Sequence, residues 1–289
     1  MPLVSSTPML RRAREGGYAV AAFNVHTLEM LQAVAEAATE LDAPVIFQTT
    51  MGTVNHLGPE YIAAAASVAA AQTHVPVALH LDHCTDFAMI VRCLRAGYTS
   101  IMVDASAHPY ADNVKATKRV VEMASAVGIN VEAELGKVGG VEDNISVADH
   151  EAALADPDEC VSFVAETGVP TLAPAIGTAH GLYKGVPNID FGRIARIASG
   201  TDVPLVLHGG SGIPEEQVKR AVALGMAKLN VATELRIAFS NAIKRVFAES
   251  PGADDPRTYL KPAKEALREV VKEKIRICGA EGRAPRTGC

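Results

Sequence analysis

Apolar residues along the chain fall in short runs, many rich in valine, isoleucine and leucine. Between the runs lie longer segments where apolar positions recur every three to four residues. A run of four to eight apolar residues suits a strand covered on both faces, and the three-to-four spacing suits a helix with one buried face. The runs are AVAAFN (19–24), PVIFQT (44–49), PVALHLD (76–82), SIMVDA (100–105), INVEAEL (129–135), TLAPAIG (171–177), VPLVLHG (203–209) and AKLNVA (227–232). Helical segments are predicted over 5–15, from Thr27 to Leu41, over 59–73, 86–96, 110–127, 157–167 and 190–199, after Pro214, and over 233–248 and 261–277. Proline at a first helical turn, as at Pro214, costs no hydrogen bond. Eight strand–helix units in one unbroken rhythm predict an α/β fold, a closed (β/α)8 TIM barrel with additional N-terminal and C-terminal helices. A doubly wound open sheet is the alternative, but no GxGxxG follows the first strand.

One segment breaks the rhythm. Residues 136–154, GKVGGVEDNISVADHEAAL, form a long glycine-rich connection of the kind that is functional or mobile in compact domains. No shift in composition marks a boundary, so residues 1–289 read as one barrel domain, with 279–289 (GAEGRAPRTGC) as a disordered tail.

Composition narrows the picture. Apolar residues make up 48% of the chain and aromatic ones only 4%, so the core is aliphatic. The formal charge of −6 and the lack of a Lys/Arg block argue against a nucleic-acid partner. No apolar run approaches the ~20 residues needed to cross a bilayer, which argues against a membrane role. The five cysteines (Cys84, Cys93, Cys160, Cys278 and Cys289) form no CxxC pair, and no leader peptide is evident. This pattern predicts a reduced, cytoplasmic protein. Cys84, next to His83, reads as a small buried side chain.

Polar residues gather where the apolar runs stop: Asn24, Thr50, Asp82, His83, Asp104, Glu134, His180, His208 and Asn230. In a parallel barrel these strand ends share one rim, where catalytic side chains collect. His83, His180 and His208 each close a run, and three imidazoles can hold one divalent metal with a coordination position left open. This set leaves a metal-dependent lyase and a metal-dependent hydrolase both possible. Asp82 could act as a general acid/base beside the metal, or as an orienting partner for a ligand histidine. Around the histidines lie small residues: His180-Gly181, His208-Gly209-Gly210-Ser211-Gly212 and Asn230-Val231-Ala232-Thr233. Turn amides, a hydroxyl and a helix N-terminus after the seventh and eighth strands predict a phosphate cradle.

The segments HLDH, VEAELGKVGGVED, AIGTAHGLY, LVLHGGSGI and KLNVATELR resemble, in order, the signatures of class II, zinc-dependent ketose-bisphosphate aldolases, over about 22–284. The resemblance is closest to the tagatose/fructose-1,6-bisphosphate branch. It implies reversible cleavage of a ketose 1,6-bisphosphate to dihydroxyacetone phosphate and glyceraldehyde 3-phosphate. His83, His180 and His208 would hold the catalytic Zn2+. Asp82 would exchange a proton with the C4 oxygen, and Glu142 would handle the proton at C3. Asp104 and Glu134 would hold a second or displaced metal, and a monovalent cation would sit near the phosphate. Gly181, Lys184, Gly209, Gly210, Ser211, Asn230, Val231, Ala232 and Thr233 would bind the dihydroxyacetone phosphate end. Asn24, Thr50 and Arg236 would lie near the far phosphate. Arg257 would reach the neighbouring subunit's site in a homodimer or homotetramer. Three histidines make a Schiff base on Lys137, Lys184 or Lys228 unnecessary. Ala232 stands where fructose-type relatives often carry an acid and leans toward tagatose bisphosphate, whereas Lys184 and Arg236 look fructose-like, with a place in glycolysis. Ala107 departs from the usual Asp-Ala-Ser-His pattern. A hydrolase or a non-catalytic subunit is the other reading.

Overall fold

The structure, a computed structural model, describes residues 2–142, 145–147, 153–183 and 185–285, without the side chains of 141, 142 and 145–147. Eight parallel strands close into a barrel: β1 (Val20–Asn24), β2 (Val45–Thr50), β3 (Val77–Cys84), β4 (Ser100–Val103), β5 (Asn130–Leu135), β8 (Thr171–Pro174), β10 (Leu205–Leu207) and β11 (Met226–Val231). β11 pairs with β1, so the barrel has no free edge. Every residue of these strands is buried, which explains why they read as continuous apolar runs and not as alternating ones.

Helices α1 (Ser6–Gly16), α2 (Leu28–Glu40), α3 (Met51–Leu57), α4 (Pro59–Ala71), α5 (Phe87–Ala96), α6 (Tyr110–Ser125), α7 (Pro157–Thr167), α8 (Phe191–Gly200), α9 (Glu215–Ala223), α10 (Thr233–Glu249) and α11 (Pro256–Ile277) complete the architecture. Several helices begin on a capping side chain. Thr27 accepts from the Met30 amide, Asp86 from Ala88, Asp156 from Asp158 and Glu159, and Asp255 from Arg257. Each such cap contributes about 1 kcal/mol. The cap on Asp255 starts α11 at Pro256, five residues before the predicted boundary.

Helix α1 closes the bottom of the barrel, where the strands begin. Ser6 Oγ donates to Ser100 Oγ at 2.9 Å, Thr7 Oγ1 donates to Asn130 Oδ1 at 2.7 Å, and the Val4 amide reaches the Val77 carbonyl. At the other end of the chain, α11 lies against α2, with Lys264 on Glu36 and Lys272 on Glu40.

Three features differ from the sequence reading. α3 was not foreseen. The glycine-rich segment contributes β6 (Gly139–Glu142) and β7 (Ile145–Val147), which form a small sheet with β9 (Ala179–His180). The expected loose tail is ordered as far as Pro285: Gly282 and Ala284 donate to the carbonyls of Leu41 and Asp42, and Ala280 and Ala284 are buried. Pairing with a distant loop overrides a local composition of glycine, proline and arginine.

Candidate active site and metal centre

The segment HLDH ends β3, and its backbone explains how Asp82 and His83 both reach the mouth. Successive strand residues point to opposite faces. Between Leu81 and Cys84 the pairing with β4 slips by one residue, a β-bulge, and His83 takes a left-handed φ of 46°. Such a backbone is unfavourable for a residue other than glycine and needs surrounding contacts to hold it. His83 has these: its Nδ1 lies 2.8 Å from Asp104 Oδ2, and its backbone amide points at Met102 Sδ.

His83, His180 and His208 are buried together. Their ring centroids are 4.9 Å (His83–His180), 4.6 Å (His83–His208) and 6.0 Å (His180–His208) apart, and one nitrogen from each falls within a common 4.8 Å. His83 Nε2 is buried and has no hydrogen-bond partner among the described residues. Asp104 is occupied in orienting His83 and accepts from the amide and hydroxyl of Ser106. Glu134 approaches His208 Nδ1 at 3.1 Å, and His83, Asp104 and Glu134 form a second group with ligand-like spacing.

The electrostatics fit a cation. Buried Asp82 and Glu134 and the half-buried Asp104 face the three imidazoles, and the Lys228 ammonium on Glu132 is the other buried positive charge nearby among the described residues. Burial alone would lower the pKa of His83, but the charge of Asp82 and the hydrogen bond to Asp104 outweigh it and raise the pKa well above the usual histidine value. For His208, burial is likewise overcome by hydrogen bonds to Glu132 and Glu134, and the pKa rises to about 9. His180 is held neutral by burial and by the two neighbouring rings. Carboxylates that draw protons onto two of three clustered histidines would equally accept a divalent ion at their nitrogens. Three histidine nitrogens, among them the His83 Nε2 that has no hydrogen-bond partner among the described residues, are the donor set of an open zinc site.

Asp82 sits beside the cluster, 3.9 Å from His83 Nε2. Gln48 Nε2 donates to its Oδ2 at 2.9 Å, and Asn230 Nδ2 reaches both of its oxygens at 3.3 and 3.4 Å. Asn24 Oδ1 accepts from the same Gln48 amide at 2.8 Å. Burial would raise the Asp82 pKa, but the neighbouring charge of His83, the contact with His80 and the charge of Lys228 hold it well below the usual carboxylate range. Asp104 orients His83, Glu132 and Glu134 flank His208, and Asp82 stands beside the cluster as an ionised carboxylate.

The glycine-rich turns form a cleft next to this group, lined by His180, Gly181, Gly209, Gly210, Ser211, Asn230, Ala232 and Thr233. Gly209 is required twice over: its φ is 69°, and a Cβ there would collide with the Ala179 carbonyl. Tyr183 ties the two histidine loops together, accepting from the Ala179 amide at 2.9 Å and donating to the Gly209 carbonyl at 2.8 Å. Ser211 Oγ accepts weakly from the amides of Ala232 and Glu234 at the start of α10. Val231 is the last residue of β11 and fully buried, and Arg236 donates to Thr233 Oγ1 from the first turns of α10. Thr50 ends β2 opposite Asp82 in register.

Other expected residues stand apart. Arg257 is exposed, with its guanidinium forked onto Asp255. Lys184 and the Glu142 side chain lie outside the described residues. Cys84 donates to the Asp86 carbonyl, and burial pushes its thiol up to about 11, as befits a core residue. Sequence reasoning missed Gln48, His80, Glu132 and Tyr183. The first three are polar residues in the middle of apolar runs, a signal available in PVIFQT, VALHLD and NVEAEL.

Residues 4–283 match the family described as fructose-bisphosphate aldolase class-II. The chain belongs to that family. It is similar to the YdjI aldolase from Escherichia coli K12, with 34% identity over 98% of this chain and 100% of that one and a TM-score of 0.86. It is also similar to a fructose-1,6-bisphosphate aldolase candidate from Coccidioides immitis, at 31% identity, 96% coverage of each chain and a TM-score of 0.87. The fructose-bisphosphate aldolase Fba from Campylobacter jejuni, at 21% identity, 97% coverage of each chain and a TM-score of 0.83, shares the fold.

Proposed function

We propose that this chain is a zinc-dependent aldolase that reversibly cleaves a ketose 1,6-bisphosphate to dihydroxyacetone phosphate and glyceraldehyde 3-phosphate. The observation that carries this reading is the burial of three histidines around one ligand-sized space with an ionised aspartate at its edge. His83, His180 and His208 would hold the ion. When bound, zinc supplies Lewis-acid stabilisation of the charge that builds up as C3–C4 breaks.

The remaining chemistry belongs to the side chains. Asp82, steered by Gln48 and Asn230, takes the proton of the C4 hydroxyl during cleavage and returns it during condensation. Glu142, on the β6 hairpin, moves the proton at C3. The turn amides of Gly181, Gly209, Gly210 and Ser211 and the start of α10, with Asn230, Val231, Ala232, Thr233 and Lys184, take the dihydroxyacetone phosphate end. Asn24, Thr50 and Arg236 serve the far phosphate, Asp104 and Glu134 serve a second metal position, and a monovalent cation accompanies the phosphate. Arg257, being exposed, is available to a neighbouring subunit in a homodimer or homotetramer.

Tagatose 1,6-bisphosphate is favoured by the apolar Ala232 beside the cleft. Fructose 1,6-bisphosphate is the second reading, favoured by Lys184 and Arg236. The test is cleavage of both sugars side by side, before and after chelation and with zinc restored. Activity abolished by chelation and restored by zinc is expected. Full turnover in the metal-stripped protein refutes the mechanism, and the ratio of the two rates decides the epimer.

A further inference from the structure

Below the three histidines the barrel axis carries a chain of polar side chains that the reaction does not use. His208 Nε2 lies 2.9 Å from Glu132 Oε1, and Lys228 Nζ donates to Glu132 Oε2 at 2.8 Å. Lys228 Nζ also lies 3.3 Å from His80 Nε2, and His80 Nδ1 is 2.7 Å from Ser100 Oγ. Ser100 in turn meets Ser6 of α1. All of these side chains are buried.

His80, Asp82 and Glu132 have the spacing of a metal site. The ammonium of Lys228 already lies within reach of two of these three, so the group carries its own cation. The same contact disposes of a Schiff-base role: the Lys228 amine is engaged by a carboxylate.

A buried ion pair is a poor way to stabilise a fold, because desolvation offsets most of the attraction. Three apolar side chains would fill the same volume at less cost. What the pair does provide is directional. Glu132, held by Lys228 as an acceptor, requires a proton on His208 Nε2. That leaves His208 Nδ1 as the nitrogen able to ligate.

We infer that Lys228 and Glu132 are positioning residues that fix the ring orientation and tautomer of His208 for metal binding. The inference rests on the proposed zinc reading. Partners of this kind characteristically change metal affinity by ~10–100-fold.

Zinc affinity, measured by competition with a chromophoric chelator, and the side-chain nitrogen spectrum of His208 in the zinc-loaded full chain provide the test. In the wild type, the proton on His208 is expected at Nε2. A proton on Nδ1 overturns the inference without any variant. Lys228→Met and Glu132→Gln are each expected to raise the zinc dissociation constant ~10–100-fold, with far-ultraviolet circular dichroism unchanged. In the metal-free chain, at a pH high enough to leave the His208 ring neutral, they are also expected to mix its two tautomers, which loss of packing alone would not do. Folded variants that bind zinc within twofold of the wild type overturn the inference, and if neither variant folds the wild-type tautomer decides it. A wild-type chain that takes up no zinc sinks the aldolase reading itself, a different outcome from zinc uptake that the variants leave untouched.

Discussion

The two ends of the barrel both place polar side chains on buried strands, and they do opposite things. At the bottom, Ser6, Thr7, Ser100, Asn130 and Thr171 are neutral and joined in one hydrogen-bonded group, with Asn130 Oδ1 accepting from Thr7 at 2.7 Å and Thr171 at 3.0 Å. At the mouth, Asp82, His83, Asp104, Glu134, His180 and His208 are ionisable, and His83 sits on a left-handed backbone with Nε2 unpartnered among the described residues. Buried hydroxyls and amides that satisfy one another end a fold cleanly. Buried charges around a ligand-like set of nitrogens suit something from outside, on the proposed function a metal and a phosphorylated sugar. A polar residue in an apolar strand is therefore ambiguous until its charge and its partners are known.

The sharpest way to break this contrast is at the mouth. Replacing His83 or His208 with alanine is expected to abolish zinc binding and reduce turnover by more than about 10⁴-fold, since the ion supplies several kcal/mol of charge stabilisation. Metal content by mass spectrometry and a cleavage assay check this, and a folded variant retaining both would contradict it. Asp82→Asn keeps the shape and the zinc but removes the proton acceptor, with an expected loss of roughly 10²–10⁴-fold in kcat. Gln48→Leu removes one hydrogen bond to that charged group. About 1.5–3 kcal/mol, or roughly 10–100-fold in kcat/KM, is expected to go with it.

Acidity separates the two ends more gently. His208 is held near pKa 9 by Glu132 and Glu134, after burial has pulled the other way. Its protonated form therefore stabilises the metal-free fold fully below about pH 6.5. That contribution fades as the pH rises through about 9. Melting of the metal-free chain is expected to fall across this window, and zinc-loaded protein is expected to lack that slope because the ion has displaced the proton. A metal-free melting temperature flat from pH 6.5 to 9 would contradict this. The smallest effect belongs to the bottom: Thr171→Val deletes one hydrogen bond to Asn130, worth about 1 kcal/mol and roughly 2 °C in Tm, with zinc affinity and turnover unchanged.

Much of this was legible before any coordinates, for a physical reason. A strand buried on both faces is mostly apolar, so polar residues gathered at or just past its end stand out: Asp82, His83, Asp104, Glu134, His208 and Asn230 stand there, and His180 follows β8 on the short β9. A polar residue inside a run is visible too, but it lacks that position at the rim. Glu132 and Glu134 are two positions apart and point the same way, but only the second lies near a strand end, so the first passes unnoticed. Gln48 is hidden in the same manner. Helix α3 is seven residues long and contains a glycine, too short for its periodicity to show. The sheet of β6, β7 and β9 and the anchoring of residues 279–285 depend on partners far away in sequence, which local pattern does not encode.

The pairing of β6 with β9 sets Gly140 directly against His180, so closely that any side chain at 140 would strike the His180 carbonyl. The hairpin bearing Glu142 and the strand bearing His180, one of the three proposed zinc ligands, thus share one backbone seam. Anyone transplanting this hairpin between relatives to alter selectivity must carry that glycine across with it, or the graft will disturb the histidine it was meant to leave alone.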